Sequence, residues 1–176
     1  MRVRDFLMLV RERLEPLLPA ELRSFQARIR FNLLQVYYEH PSLHYEVWPQ
    51  RKGGRIEIGL HFEGAREENY GWAVILAERM PQMQAALGPS LELEEWTPTW
   101  TRLHQSVPLG SLDEDLAADV AQRMAALIET MQPILEECRP RVLEGGLAPP
   151  PRPPARGLPR YLRRRGRRSL GPRRLP

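Results

Sequence analysis

Ile56, Ile58, Leu60 and Phe62 alternate with Glu57, Gly59, His61 and Glu63, the cleanest periodicity in the chain. Such alternation predicts a strand with one face in the core and the other toward solvent. A shorter run, Tyr45 and Val47 against His44, Glu46 and Trp48, precedes it across Arg51-Lys52-Gly53-Gly54. The glycine pair supplies the positive φ angles of a tight turn, so the two runs read as a hairpin. Its register should bring Tyr45 opposite Leu60 and Val47 opposite Ile58, because the apolar sets then share a face. His44 would then face His61, and Trp48 would face Glu57.

The flanking patterns change period. Residues 3–18 carry Phe6, Leu7, Val10, Leu14, Leu17 and Leu18 at helical spacing, with Pro16 and Pro19 ending or kinking the element. Residues 20–38 fit both periods. They are read as a short helix followed by one strand from about Arg28 to Tyr37, which leads through Glu39-His40-Pro41-Ser42 into the hairpin. Tyr70, Val74 and Ala77 predict a helix over residues 66–80 that kinks or restarts at Pro81 and stops at Gly88-Pro89. A second hairpin, 91–97 with 100–107, turns at Pro98-Thr99 and sets Glu95 against Arg102 as an exposed pair. Ser111-Leu112-Asp113-Glu114 reads as a capping box for a long helix through Leu116, Val120, Met124, Leu127, Ile128 and Met131 to Cys138, kinked at Pro133. The fold expected is α+β: an antiparallel sheet of four or five strands, built from two hairpins, with helices packed on one face.

Charge divides the chain more sharply than periodicity does. Residues 1–145 hold 16 basic and all 22 acidic side chains, whereas residues 146–176 hold 10 arginines and no acid. With Ala148-Pro149-Pro150-Pro151-Arg152-Pro153-Pro154 and no apolar periodicity, residues 144–176 read as a disordered Pro/Arg-rich basic tail on a single domain over 1–143. Arg163, Arg164, Arg165, Arg167 and Arg168 are its densest charge and its candidate phosphate contacts. The acidic body argues against a phosphate-tracking surface over the whole fold. One cysteine, Cys138, excludes an intramolecular disulfide and a thiolate zinc cluster. The apolar patch from Phe6 to Val10 is too short for a signal peptide or a membrane span, so a cytoplasmic protein is expected.

Candidate chemistry is sparse. His44, His61, Glu46 and Glu63 fall on one face of the hairpin, where two imidazoles with nearby carboxylates suit a divalent metal or a shared proton. The competing reading is that this is simply the solvent face. His104 lies on another strand, with no sequence reason to place it nearby. Glu46 and Glu57 suggest a magnesium nuclease, but Glu57 is followed by Ile58-Gly59 where the activating lysine is needed. No Gly-x-Ser-x-Gly elbow, dinucleotide fingerprint or P-loop occurs, and no cofactor is expected. Among four tryptophans, Trp48 and Trp100 are candidates for anchoring a protein partner, against a packing role.

Ile56-Glu57-Ile58-Gly59-Leu60-His61-Phe62-Glu63, Glu68-Asn69, Ala86-Leu87-Gly88, Leu91-Glu92-Leu93-Glu94-Glu95-Trp96 and Arg102, in the order helix, hairpin, helix, hairpin, helix, give the chain a likeness over about residues 44–138. It resembles an uncharacterised prokaryotic domain family that often follows restriction-endonuclease-like domains. The resemblance implies an accessory module working near nucleic acid or an enzyme partner, with no catalytic motif to carry over. The function expected is a non-enzymatic interaction module with a cationic tail. Phosphate binding through the tail and a metal-dependent hydrolase on the His44/His61 face are the alternatives.

Overall fold

In a computed structural model, which describes residues 1–144, three helices lie on one face of a six-stranded antiparallel sheet. The strands are β1 (Gln26–Arg30), β2 (Leu33–Tyr37), β3 (Leu43–Gln50), β4 (Arg55–Phe62), β5 (Glu92–Glu95) and β6 (Thr101–Pro108), in spatial order β1-β2-β3-β4-β6-β5. The helices are α1 (Val3–Leu17), α2 (Arg66–Leu87) and α3 (Glu114–Leu143). The basic tail, with its five candidate arginines, lies outside the described residues.

The central hairpin has the register expected, with Tyr45 against Leu60, Val47 against Ile58, His44 against His61 and Trp48 against Glu57. Gly54, at φ 61, closes its turn in the left-handed region, where a side chain would be strained. Leu34, Val36, Tyr45, Val47, Ile56, Ile58, Leu60, Phe62 and Leu103 line the apolar face and are all buried. Against them pack Phe6, Leu7, Val10 and Leu14 of α1, Trp72 and Leu76 of α2, and Val120, Met124 and Ile128 of α3. Two hydrophobic layers meeting in this way explain why an alternating sequence and a helical stripe each find a partner.

Several local expectations give way to tertiary packing. Residues 26–37 are two strands, not one, because the chain reverses at Phe31-Asn32, with Phe31 at φ 52 and its ring in solvent. No glycine or proline marks this turn, and Ile29, Phe31 and Leu33 disguise it as continuous alternation. α2 runs unbroken through Pro81 and α3 through Pro133 and Pro140. A proline removes one helical hydrogen bond, but buried neighbours on either side (Met80 and Met83; Gln132 and Ile134) hold those helices together. The α3 cap is Asp113, whose carboxylate accepts from Leu116 N at 3.0 Å, not Ser111. Asp113 stands immediately before the first helical residue, and its charge suits the positive end of the helix dipole.

Candidate functional site

The sheet face turned away from the helices carries the unusual chemistry. Cross-strand pairing sets His44, His61, Arg102 and Glu94 in one row, on β3, β4, β6 and β5 in turn. The next row runs Arg28, Gln35, Glu46, Gly59, His104 and Glu92 across all six strands. Alternation predicts a solvent face here, and the structure corrects that. His44, Glu46, Glu57, His61, Glu94, Arg102 and His104 are all buried. Their side-chain hydrogen bonds are with one another and with Gln35, Gln50 and the Pro41 carbonyl. The Trp96 ring lies 3.8 Å from the Arg102 guanidinium, and Trp48 meets Trp96 edge-on at 6.1 Å, so the two indoles roof the charged layer.

Arg102 is the hub. Its Nη1 donates to Glu57 Oε1 at 2.6 Å, its Nε to Glu94 Oε1 at 2.8 Å, and its Nη2 also to Glu94. The sequence predicts Glu95, one residue on, as its partner in an exposed pair. The hairpin instead sets Glu94 opposite Arg102 and Glu95 opposite Thr101. The five-residue connection from Trp96 to Trp100, closed by Trp96 N and Thr97 N donating to Trp100 O, shifts the register by one. That shift turns a surface pair into a buried one.

The other half of the face is held by amides and imidazoles. Arg28 Nε donates to Gln35 Oε1 at 2.7 Å, which orients the Gln35 amide so that its Nε2 donates to Glu46 at 2.9 Å and to His44 Nε2 at 3.0 Å. His44 Nδ1 faces the Pro41 carbonyl at 2.8 Å, and a carbonyl only accepts, so Nδ1 carries the proton. His61 sits among three carboxylates: Nε2 is 3.6 Å from Glu57 and 4.0 Å from Glu46, and Nδ1 is 3.8 Å from Glu63. These are ion-pair rather than hydrogen-bond separations.

Burial by itself would push the Glu46 and Glu57 carboxyls up and the His61 imidazole down. The neighbours win in each case. His61 with the Gln35 amide holds Glu46 below the usual carboxylate range, and His61, Arg102 and His104 do the same for Glu57. His104 and Arg102 bring Glu94 down to about 2 against its burial. The carboxylates around His61, Glu57 first, raise it to about 9. At neutral pH the layer therefore holds ionised Glu46, Glu57 and Glu94 around a protonated His61 and the Arg102 guanidinium.

Of the four metal candidates from the sequence, His44, His61 and Glu63 do bring ligand atoms within 4.8 Å of one another. The two imidazoles, however, are stacked, with centroids 5.3 Å apart and planes 19° apart. An imidazole binds a metal in its own ring plane, so two stacked rings do not aim at one ion. Glu46 is instead engaged by Gln35. Local sequence pattern does not single out Arg102, Glu94, His104 and Gln35 as site residues. A signal is present as a second alternation, Glu92-Glu94-Trp96 against Arg102-His104, but it needs the β4–β6 pairing to be recognised as one face with the central hairpin.

Trp100 is placed elsewhere. It lies in the β5–β6 turn, 37% exposed, beside a small, mostly apolar pocket that it lines with Arg66, Tyr70, Ala73, Thr97 and Thr99. Asn69 ties this turn to α2, its amide donating to Thr99 O at 2.8 Å and to Gly64 O at 3.0 Å. Trp72 is a core residue against Phe62.

Fold and site together define an α+β protein with an open antiparallel sheet whose polar face is a buried ion-pair layer under an aromatic roof. No protein-family model matches the chain, and no curated protein or solved structure matches it.

Proposed function

We propose that the folded body is a binding domain rather than a catalyst, and that it docks a protein segment at the β5–β6 turn. The observation that carries this reading is the exposed Trp100 standing at a small pocket where Tyr70 and Ala73 supply apolar surface and Arg66 and Glu95 supply charge, with Trp96, 39% exposed, on the same turn. Aromatic side chains of this kind contribute large contact area at little entropic cost, and they concentrate binding energy at interfaces. The hydrogen bonds from Asn69 hold the turn in place, so the surface is set before a partner arrives. The ion-pair layer supports the same reading, since its acids and bases engage one another beneath the tryptophans instead of opening onto a cleft. An accessory role beside an enzyme or nucleic acid, as the family resemblance implies, fits this reading, and so does a cytoplasmic setting for the buried free thiol of Cys138.

The test begins with a photo-crosslinking amino acid at position 100 and, as control, at position 8 on α1, in cells making the protein. A partner joined only at position 100 is then purified, and its affinity is measured for the wild type and for Trp100→Ala and Tyr70→Phe. Trp100→Ala should weaken binding at least about thirtyfold, a hot-spot loss. Unchanged affinity in Trp100→Ala overturns the reading, as does the absence of any crosslink peculiar to position 100.

A second reading is favoured by the charge division. Ten arginines without an acid follow a body with an excess of acid, a composition suited to phosphate rather than to base edges. On that reading the tail binds nucleic acid with little sequence preference while the body docks its partner.

A further inference from the structure

The polar face contains a second cluster of potential ligands, at the sheet edge, in which none of the four metal candidates named from the sequence takes part. Glu92 and His104 are direct cross-strand partners on β5 and β6, and Glu94 projects from the same face two residues along. One ligand atom from each lies within 4.8 Å of the others.

We propose that Glu92, Glu94 and His104 form a binding site for one divalent transition-metal ion, Zn²⁺ by preference, at the β5 edge of the sheet. Three observations converge on it. His104 is buried, and neither ring nitrogen makes a well-formed hydrogen bond among the described residues; its nearest polar neighbour is Glu94, at ion-pair range, an under-satisfied state out of water that a metal would relieve. The ring also points the right way: Nε2 lies 3.2 Å from Glu94 Oε1, while Nδ1 faces Glu57 Oε2 at 4.0 Å. A carboxylate behind a metal-binding histidine fixes the tautomer and directs the opposite lone pair at the ion; Glu57 stands on that side of the ring, at an ion-pair rather than a hydrogen-bond separation and with its Oε2 also accepting from Gln50 Nε2.

The position of the ring is built into the neighbouring strand. A Cβ on Gly59 would stand 2.8 Å from the His104 Cβ and 3.0 Å from the Leu103 carbonyl, so the bare glycine is what lets His104 sit there. Arg102 fixes Glu94 through its Oε1. Glu92 is exposed on the edge strand, which gives an ion a route in from solvent.

One imidazole nitrogen with carboxylate oxygens suits Zn²⁺ better than Mg²⁺ or Ca²⁺, which favour oxygen alone. Metal–ligand bonds of about 2.0–2.2 Å require the three ligand atoms to draw slightly closer than they lie here. The site goes beyond the docking reading and does not depend on it.

The experiment uses the untagged full-length protein, stripped with chelator and titrated calorimetrically with ZnCl₂, with Co²⁺ absorption as a spectroscopic check on the ligands. The tail adds no competing ligand, since residues 146–176 contain no His, Cys, Asp or Glu. One equivalent of Zn²⁺ should bind. Glu92→Gln and His104→Gln should each weaken it at least about tenfold, whereas His44→Gln should leave it unchanged. Glu92 lies at the exposed rim, so Glu92→Gln, checked by its melting curve, separates lost ligation from lost folding. Absence of Zn²⁺ binding at about 100 μM overturns the proposal, taking the weakest end of useful affinity. So does unchanged affinity in either β5–β6 variant, or loss in His44→Gln, which would place the ion at the His44/His61 pair.

Discussion

Arg102 neutralises Glu57 and Glu94 at once, and all three are buried. Arg102→Ala leaves two carboxylates without their shared counter-charge, a change that costs about 3–5 kcal/mol in buried pairs. Urea denaturation should show that loss; a change below about 1 kcal/mol, typical of exposed pairs, would mean that water reaches the layer. His61 imposes a pH dependence on the same layer. Its folded pKa of about 9 lies above the ordinary 6.5, so its contribution to stability is complete below about pH 6.5 and is lost as pH rises through 9. Glu46 and Glu57 work in the opposite sense: held below 4.5, they stabilise above that value and lose their contribution as pH falls. Thermal melts should therefore be highest between about pH 4.5 and 6.5 and decline toward pH 9. His61→Gln should flatten the alkaline decline, and an unchanged slope would assign it to another group. By alternation His61 belongs on a tolerant solvent face; its burial beside three carboxylates reverses that expectation.

Among the elements, α3 gives the clearest separation between a pattern and its execution. The sequence points to Ser111 as the cap, and in the structure it is Asp113 that reaches a backbone amide. Asp113→Ala should lower stability by about 1 kcal/mol, whereas Ser111→Ala should fall within about 0.5 kcal/mol of wild type. Equal losses in the two variants, measured by denaturant titration, would restore the capping box read from Ser111 and Glu114. The hairpins make the same point. β3–β4 pairs as its alternation requires, because slipping it by one residue would exchange Ile58 and Leu60 for Glu57 and Gly59 in the core. β5–β6 is only four residues long on the β5 side, so its register follows from the geometry of the Trp96–Trp100 turn.

For the whole molecule, the sharp boundary in composition near residue 145 is the ground for predicting that body and tail are energetically separate. Among the described residues the core closes on itself, with Val142 as its last member. Deleting residues 146–176 should leave the melting temperature within about 2 °C, since no more than a fraction of a kcal/mol is expected from an uncoupled segment. A fall of many degrees would show that the tail packs on the body. Duplex binding by the full chain should weaken with a log-log salt slope of about −0.9 per neutralised phosphate, and the truncated chain should not bind. Equal binding by the truncated chain would move the interface onto the body.

By itself the sequence determined the α+β class, the central hairpin and its register, and the three apolar helix faces. Each rests on local periodicity repeated over enough residues for burial to admit a single answer, as at Ile56 to Phe62. What only the tertiary structure decided is the state of the opposite face. Alternation distinguishes core from non-core; it does not say whether a non-core residue meets water. That depended on β6 pairing with β4 across the whole length of α2 and β5, and on Trp96 and Trp48 folding over the result. The alternation of Glu92, Glu94 and Trp96 against Arg102 and His104 does not say which strand lies beside them, so Arg102 with Glu57, and His104 beside Gly59, become visible only once the strands are assembled.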